Sequence, residues 1–213
     1  MTLIIMKKSL IISLLTLLLG PCAFAQTSKQ IVYAEVGLGF GQTLFFGNIK
    51  SQLSESLGGS FDPASGGNVS MGFYVSPESW KGLGLGSRIH GTFGEPSTGE
   101  FGDEYIFNYY NLALSAKYYL SQTFNNGLYG RGSIGFGQMT TKRITSAEDE
   151  YFHQYAIGTT FTGSIGYTLP FQKTALSLEA QYEYSSRNGT VSGLGDGVRF
   201  NSGQIGGNLI LSF

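Results

Sequence analysis

The sequence predicts an all-β fold: a membrane-spanning, eight-stranded antiparallel up-and-down β-barrel that follows a cleaved signal peptide. Three observations predict it. The N-terminus carries an export signal. The remainder divides into eight runs of about ten residues with period-two alternation, the length that crosses a bilayer when tilted. The last run, 198–213, alternates up to the final residue, with Ile205, Gly207, Leu209, Leu211 and Phe213 on one face and Ser202, Gln204, Gly206, Asn208, Ile210 and Ser212 on the other. Successive strand side chains point to opposite faces, so this pattern is a strand signal. A strand that closes a barrel leaves no open edge in lipid. The expected organisation is a signal peptide over 1–25 and one barrel domain over 26–213.

The export signal has three parts. Lys7 and Lys8 precede an apolar run from Leu10 to Leu19, and Gly20-Pro21 breaks it. Ala23-Phe24-Ala25 then forms an A-x-A site, so cleavage is expected between Ala25 and Gln26. Cys22, the only Cys, falls in the discarded peptide, which leaves the mature chain without a disulfide. Gly is 32 of 213 residues, about twice the usual share. Charged residues are 13%, about half the globular norm, and aromatics are 14%. Strands with one face in lipid have that composition. The formal net charge of −1 gives no basic footprint for nucleic acid.

The strands follow in order. The first, 31–43, puts Val32, Ala34, Val36, Leu38 and Phe40 on one face. The second, 68–75, does so with Val69, Met71, Phe73 and Val75, and the third, 83–93, with Leu83, Leu85, Ile89 and Phe93. The fourth, 105–120, carries Tyr110, Leu112, Leu114, Ala116, Tyr118 and Leu120. The fifth, 128–140, carries Leu128, Ile134 and Phe136; the sixth, 155–169, carries Ile157, Phe161, Ile165, Tyr167 and Leu169. The seventh, 175–185, carries Leu176, Leu178, Ala180, Tyr182 and Tyr184. Connections at 76–82, 121–127 and 170–174 are short. Those at 47–67, 94–104, 142–154 and 186–197 are longer and rich in turn formers. An even count with this short/long alternation predicts both termini at the periplasmic rim.

With the export signal, eight alternating strands and a terminal Phe on an amphipathic strand, the chain resembles the OmpA/OmpX-like eight-stranded outer-membrane β-barrel family over its whole mature length. The resemblance implies residence in the bacterial outer membrane, contact with outer-membrane lipid, and recognition of the C-terminal strand by the barrel assembly machinery, with Phe213 as the assembly signal. The chain stops at its eighth strand, so the family's periplasmic peptidoglycan-binding domain is not expected.

The opposite strand faces are polar. They bear Glu35, Arg88, His90, Lys117, Arg131, Glu179 and Glu183. An eight-stranded barrel is just wide enough for side chains to fill. Unpaired charge inside it costs roughly several kcal/mol per ion. The expectation is a near-neutral lumen network of Arg88, Lys117 and Arg131 against Glu35, Glu179 and Glu183. Lys117 and Arg131 face each other on neighbouring strands, and like charges so placed repel unless carboxylates intervene. Glu179 or Glu35 is expected to reach them. Inward glycines such as Gly37, Gly84 and Gly206 make room for the long side chains.

No catalytic, metal or cofactor site is expected. Gly37-x-Gly39 and Gly193-x-Gly195-x-Gly197 precede no helix, so neither is a dinucleotide loop. Glu148, Asp149, Glu150 and His153 read as a solvated loop, and His90 reads as part of the lumen network. His153 has no Ser two residues on, only Gln154-Tyr155, and Ser146 and Glu148 lie near it in sequence alone. The first loop places Ile49, Leu53 and Leu57 at helical spacing, as a short amphipathic turn over the barrel mouth. The second loop is acidic, with Glu95, Glu100, Asp103 and Glu104. An extracellular partner would meet loops 47–67 and 94–104. The functional expectation is a non-enzymatic protein with a structural or surface-interaction role and a plugged lumen. The alternatives are a narrow pore for ions or small solutes, and a lipid A-modifying enzyme.

Overall fold

A computed structural model of the chain describes residues 30–47, 49, 51–52, 55, 65–98, 104–144, 151–191 and 195–213. The export signal with its Ala25/Gln26 junction lies outside these residues. So do Leu53, Leu57, Glu100, Asp103, the acidic run 148–150 and the side chain of His153.

Among the described residues nine strands form: β1 (Val32–Phe45), β2 (Ser65–Val75), β3 (Leu83–Gly94), β4 (Ser97–Thr98), β5 (Glu104–Tyr119), β6 (Gly127–Ile144), β7 (Tyr151–Pro170), β8 (Ala175–Val191) and β9 (Gly195–Ser212). The two-residue β4 pairs only with the start of β5. The other eight are antiparallel to their neighbours, and β1 pairs with β9 while β3 pairs with β5, which closes the sheet. The closure is completed by the last residue: Phe213 exchanges backbone hydrogen bonds with Ala34 at 2.9 and 3.0 Å.

The register fixes the barrel's shape. From Val32, paired positions run through Val75, Leu85, Ala116, Gly132, Gly163, Tyr182 and Ile205 and return to β1 at Gln42. That is ten residues from the start, the stagger by which a sheet closes with its strands tilted about 35–45°. Every one of these positions, from Val32 round to Gln42, is an outward one, because an even stagger keeps the two faces distinct.

Polarity is inverted relative to a water-soluble domain. Leu114, Leu178 and Ile165 are 71%, 68% and 68% exposed, while the next residue on each strand in one direction or the other (Ser115, Glu179, Ser164) is buried. The turns 76–82 and 120–126 lie at the end where β1 begins and β9 finishes. Lys81 and Gly82 adopt left-handed φ values of 47° and 84° there, and Gln122, Asn125 and Gly127 do so in the next turn. Gly and Asn tolerate that region best.

At the opposite end the ladders run further than sequence alternation predicts. Residues 142–144 pair with 151–153, all within a stretch that the sequence reads as an open loop, and 186–189, read as loop too, pair with 198–201 at the start of the last strand. A hairpin ladder is held by backbone hydrogen bonds. Beyond the apolar belt it needs no alternation of side chains, so the pattern fades before the strand does.

Candidate functional site

The barrel's interior holds every buried charged side chain among the described residues. It builds up in three layers.

The layer at the turn end is aromatic. Tyr33, Tyr74, Tyr119 and Tyr129 point inward from β1, β2, β5 and β6, and Phe124 folds in from the β5–β6 turn. Phe124 lies 4.6 Å from the Tyr33 ring and 5.0 Å from the Tyr119 ring. Lys117 on β5 points into this cluster. Its Nζ is 4.1 Å from the Tyr129 ring centre, 5.3 Å from Tyr119, and 5.8 and 5.9 Å from Tyr74 and Phe124. Ring faces attract a cation at such distances. The same ammonium donates to Glu35 Oε1 at 2.5 Å from across the barrel, and Ser212 donates to that oxygen at 3.3 Å.

The middle layer is centred on Glu179. Arg131 pairs with its Oε1, Tyr129 donates to Oε2 at 2.9 Å, and Asn208 donates to Oε1 at 3.4 Å. Arg88 approaches the same Oε1 at 3.9 Å and donates to Gln181 Oε1 at 3.0 Å. Gln181 also accepts from Asn208 at 3.0 Å and lies 3.4 Å from His90. Lys117 and Arg131 are direct register partners. Each turns to a different carboxylate, Glu35 and Glu179, which relieves their repulsion.

The third layer surrounds Glu183. Asn111 donates to its Oε2 at 2.7 Å, Ser185 donates to Oε1 at 3.2 Å, His90 lies 3.7 Å away and Arg187 3.5 Å away. Arg187 also donates to Ser202 at 2.6 Å and lies 5.0 Å from the Tyr109 ring. Above it the mouth is apolar: Ile49, Tyr105, Phe107, Tyr109, Met139, Ala156 and Phe200 pack together. Ile49 comes from the first loop and is the described part of the turn that sequence spacing places over the mouth.

The sequence-predicted residues therefore meet in two groups. Glu35 joins Lys117. Glu179 joins Arg131 and, less closely, Arg88. Glu183 stands apart with His90 and Arg187. Sequence reasoning missed Arg187, which makes four buried cations against three carboxylates among the described residues, in place of the expected balance. It sits two steps beyond Glu183 in the inward series Glu183, Ser185, Arg187, so carrying the alternation past 185 finds it. The inward tyrosines were also missed, because Tyr at a strand end fits an outward girdle equally well.

Among the described residues, no group of three or more His, Cys, Asp or Glu is placed to hold a metal ion. A closed eight-stranded barrel, apolar outside and polar within, defines the chain as having the fold of the outer-membrane β-barrels. No protein-family model matches the sequence, and no curated protein matches it. Solved structures do. The crystal structure of Ail, the attachment invasion locus protein of Yersinia pestis, aligns with a TM-score of 0.53 at 14% identity, over 86% of this chain and 100% of that one. Ail in complex with the heparin analogue sucrose octasulfate aligns at 0.51 and 14%, over 85% and 99%. Neisserial surface protein A aligns at 0.48 and 12%, over 85% and 97%.

Proposed function

We propose that the chain is a small integral outer-membrane protein with a structural or surface-interaction role, and that its lumen is plugged by its own side chains. Burial carries the reading: Glu35, Arg88, Lys117, Arg131, Glu179 and Glu183 are each at most 5% exposed. An aromatic layer covers them at one end and an apolar cluster at the other. A conducting pore needs a continuous wet path, and these groups are bonded to one another instead. The decisive experiment is planar-bilayer conductance of the purified, refolded chain. We expect no steady open-channel current. Large steady conductance overturns the plug and promotes a narrow pore.

In this reading residues 1–25 are removed as a signal peptide. The turn end and both termini face the periplasm, and loops 47–67 and 94–104 present the surface to an extracellular partner. The assembly machinery recognises the C-terminal strand, which ends on Phe213. Its backbone pairing with Ala34 supports this, because it makes the final residue part of the closing seam. Deleting Phe213 is expected to reduce outer-membrane accumulation far more than Thr98→Ala does, as read by immunoblot of membrane fractions. Equal accumulation removes Phe213 from that role.

A further inference from the structure

We propose that the lumen binds one small monovalent anion, of halide type, between Arg131, Arg88 and Ser164. Two independent observations meet at this place.

The first is charge. Arg88, Lys117, Arg131 and Arg187 are buried against Glu35, Glu179 and Glu183, an excess of one cation among the described residues. Protonation of His90 would only widen it. The excess can be located. Lys117 has Glu35 to itself, and Arg187 stands beside Glu183. Arg131 and Arg88 share Glu179, and Arg131 holds the shorter contact. Arg88 is the cation without a carboxylate of its own. An uncompensated charge inside a barrel is strongly unfavourable, and a bound counter-ion removes the penalty.

The second is hydrogen bonding. Arg131 Nε and Nη1, Arg88 Nη2 and Ser164 Oγ are buried and make no hydrogen bond. Arg131 and Ser164 are direct register partners on β6 and β7, and both are inward. Arg131 spends Nη2 on Glu179 and leaves its other two nitrogens free as donors. Arg88 and Arg131 reach the same Glu179 oxygen, which sets the two guanidinium groups side by side, and their free N–H groups with the Ser164 hydroxyl are donors of the kind that halides and other small anions require. The one carboxylate nearby, Glu179, is shared by both guanidinium groups, and the groups left free are donors. The site is independent of the conductance question, since a plugged or a leaking lumen can hold an anion.

The test refolds the full barrel in detergent in sodium bromide or in sodium gluconate at equal ionic strength. Thermal unfolding is followed by the heat-dependent gel shift. A ligand that binds only the folded state stabilises it in a saturable way. We expect the unfolding temperature to rise with bromide and level off. Arg88→Gln, which keeps an amide near Gln181 and removes the excess charge, should abolish the bromide response. Ser164→Ala, which touches no ion pair, should shift half-saturation to about tenfold higher bromide, as loss of one hydrogen bond to a charged group predicts. If Arg88→Gln does not fold, Ser164→Ala decides alone. Identical unfolding in the two salts overturns the proposal and leaves water as the partner of these donors. An unchanged bromide response in Ser164→Ala also overturns it, because the anion would then act elsewhere.

Discussion

Leu114 and Ser115 are neighbours on β5, yet one is 71% exposed and the other 4%. The same division runs around the whole barrel. Outside, the strands show Leu, Ile, Phe and Tyr with no buried partner. Inside, they show Glu, Arg, Lys, Asn, Gln and Tyr bonded across the lumen. In the proposed membrane setting the outer face should tolerate any apolar side chain of suitable size, because lipid adapts to it. The inner face does not, because its polar groups depend on particular partners across the lumen. Substitutions on the two faces should therefore fail for different reasons and by different amounts.

The largest effect is expected at Glu179. It takes Arg131, Tyr129 and Asn208 as direct partners and is the nearest carboxylate to Arg88. Glu179→Ala strands two guanidinium groups, and breaking one partner of a buried pair typically costs about 3–5 kcal/mol. Urea unfolding of the refolded barrel measures it. A loss below about 1 kcal/mol would mean that water screens the lumen and that the inner face behaves like ordinary surface.

The outer face should give the next effect. Leu114→Arg is expected to cost about 2–4 kcal/mol if the residue lies near the bilayer midplane. Ser115→Arg should not follow that scale. It would lose the hydrogen bonds to Tyr74 and Ser133, each 2.9 Å, and crowd a filled interior. Measuring both in lipid vesicles and in detergent separates them: the Leu114 penalty should depend on the bilayer and the Ser115 penalty should not. Equal, small effects at both sites would erase the contrast between the faces.

This contrast explains what could be read from the chain beforehand. The eight strands were legible because an apolar outer face and a polar lumen impose opposite demands on alternate residues, as in Leu176, Leu178 and Ala180 against Ser177, Glu179 and Gln181. The upper ladders were not, because beyond the belt the outward residues are polar, as at Asn188, Arg199 and Asn201, so the alternation fades although the inward Arg187 and Phe200 stay buried; Arg187 was lost with them. Which charges meet was legible only in part. Lys117 and Arg131 are neighbours through one turn, and their adjacency follows from strand order. The bond from Lys117 to Glu35 joins β5 to β1 across the lumen, and residue spacing along the strands does not encode it. Phe124 was hidden for another reason: nothing in a turn sequence shows that its side chain folds back under the barrel.

The smallest of these effects, Tyr129→Phe, separates two parts of one residue. The Tyr129 ring lies over Lys117 Nζ at 4.1 Å, and its hydroxyl donates to Glu179 Oε2 at 2.9 Å. The change keeps the first contact and removes the second. A hydrogen bond to a charged group is worth about 1.5–3 kcal/mol, so urea unfolding should show a loss in that range. Glu179 still has Arg131 and Asn208, which places the loss below that of Glu179→Ala. The two changes act on one network, so they should not add. In the double variant the carboxylate is already gone, the hydroxyl has no acceptor there, and Tyr129→Phe should then cost close to nothing. If it costs the same in both backgrounds, the hydroxyl acts through another partner. The link between the aromatic layer and the Glu179 layer would then be one of contact alone.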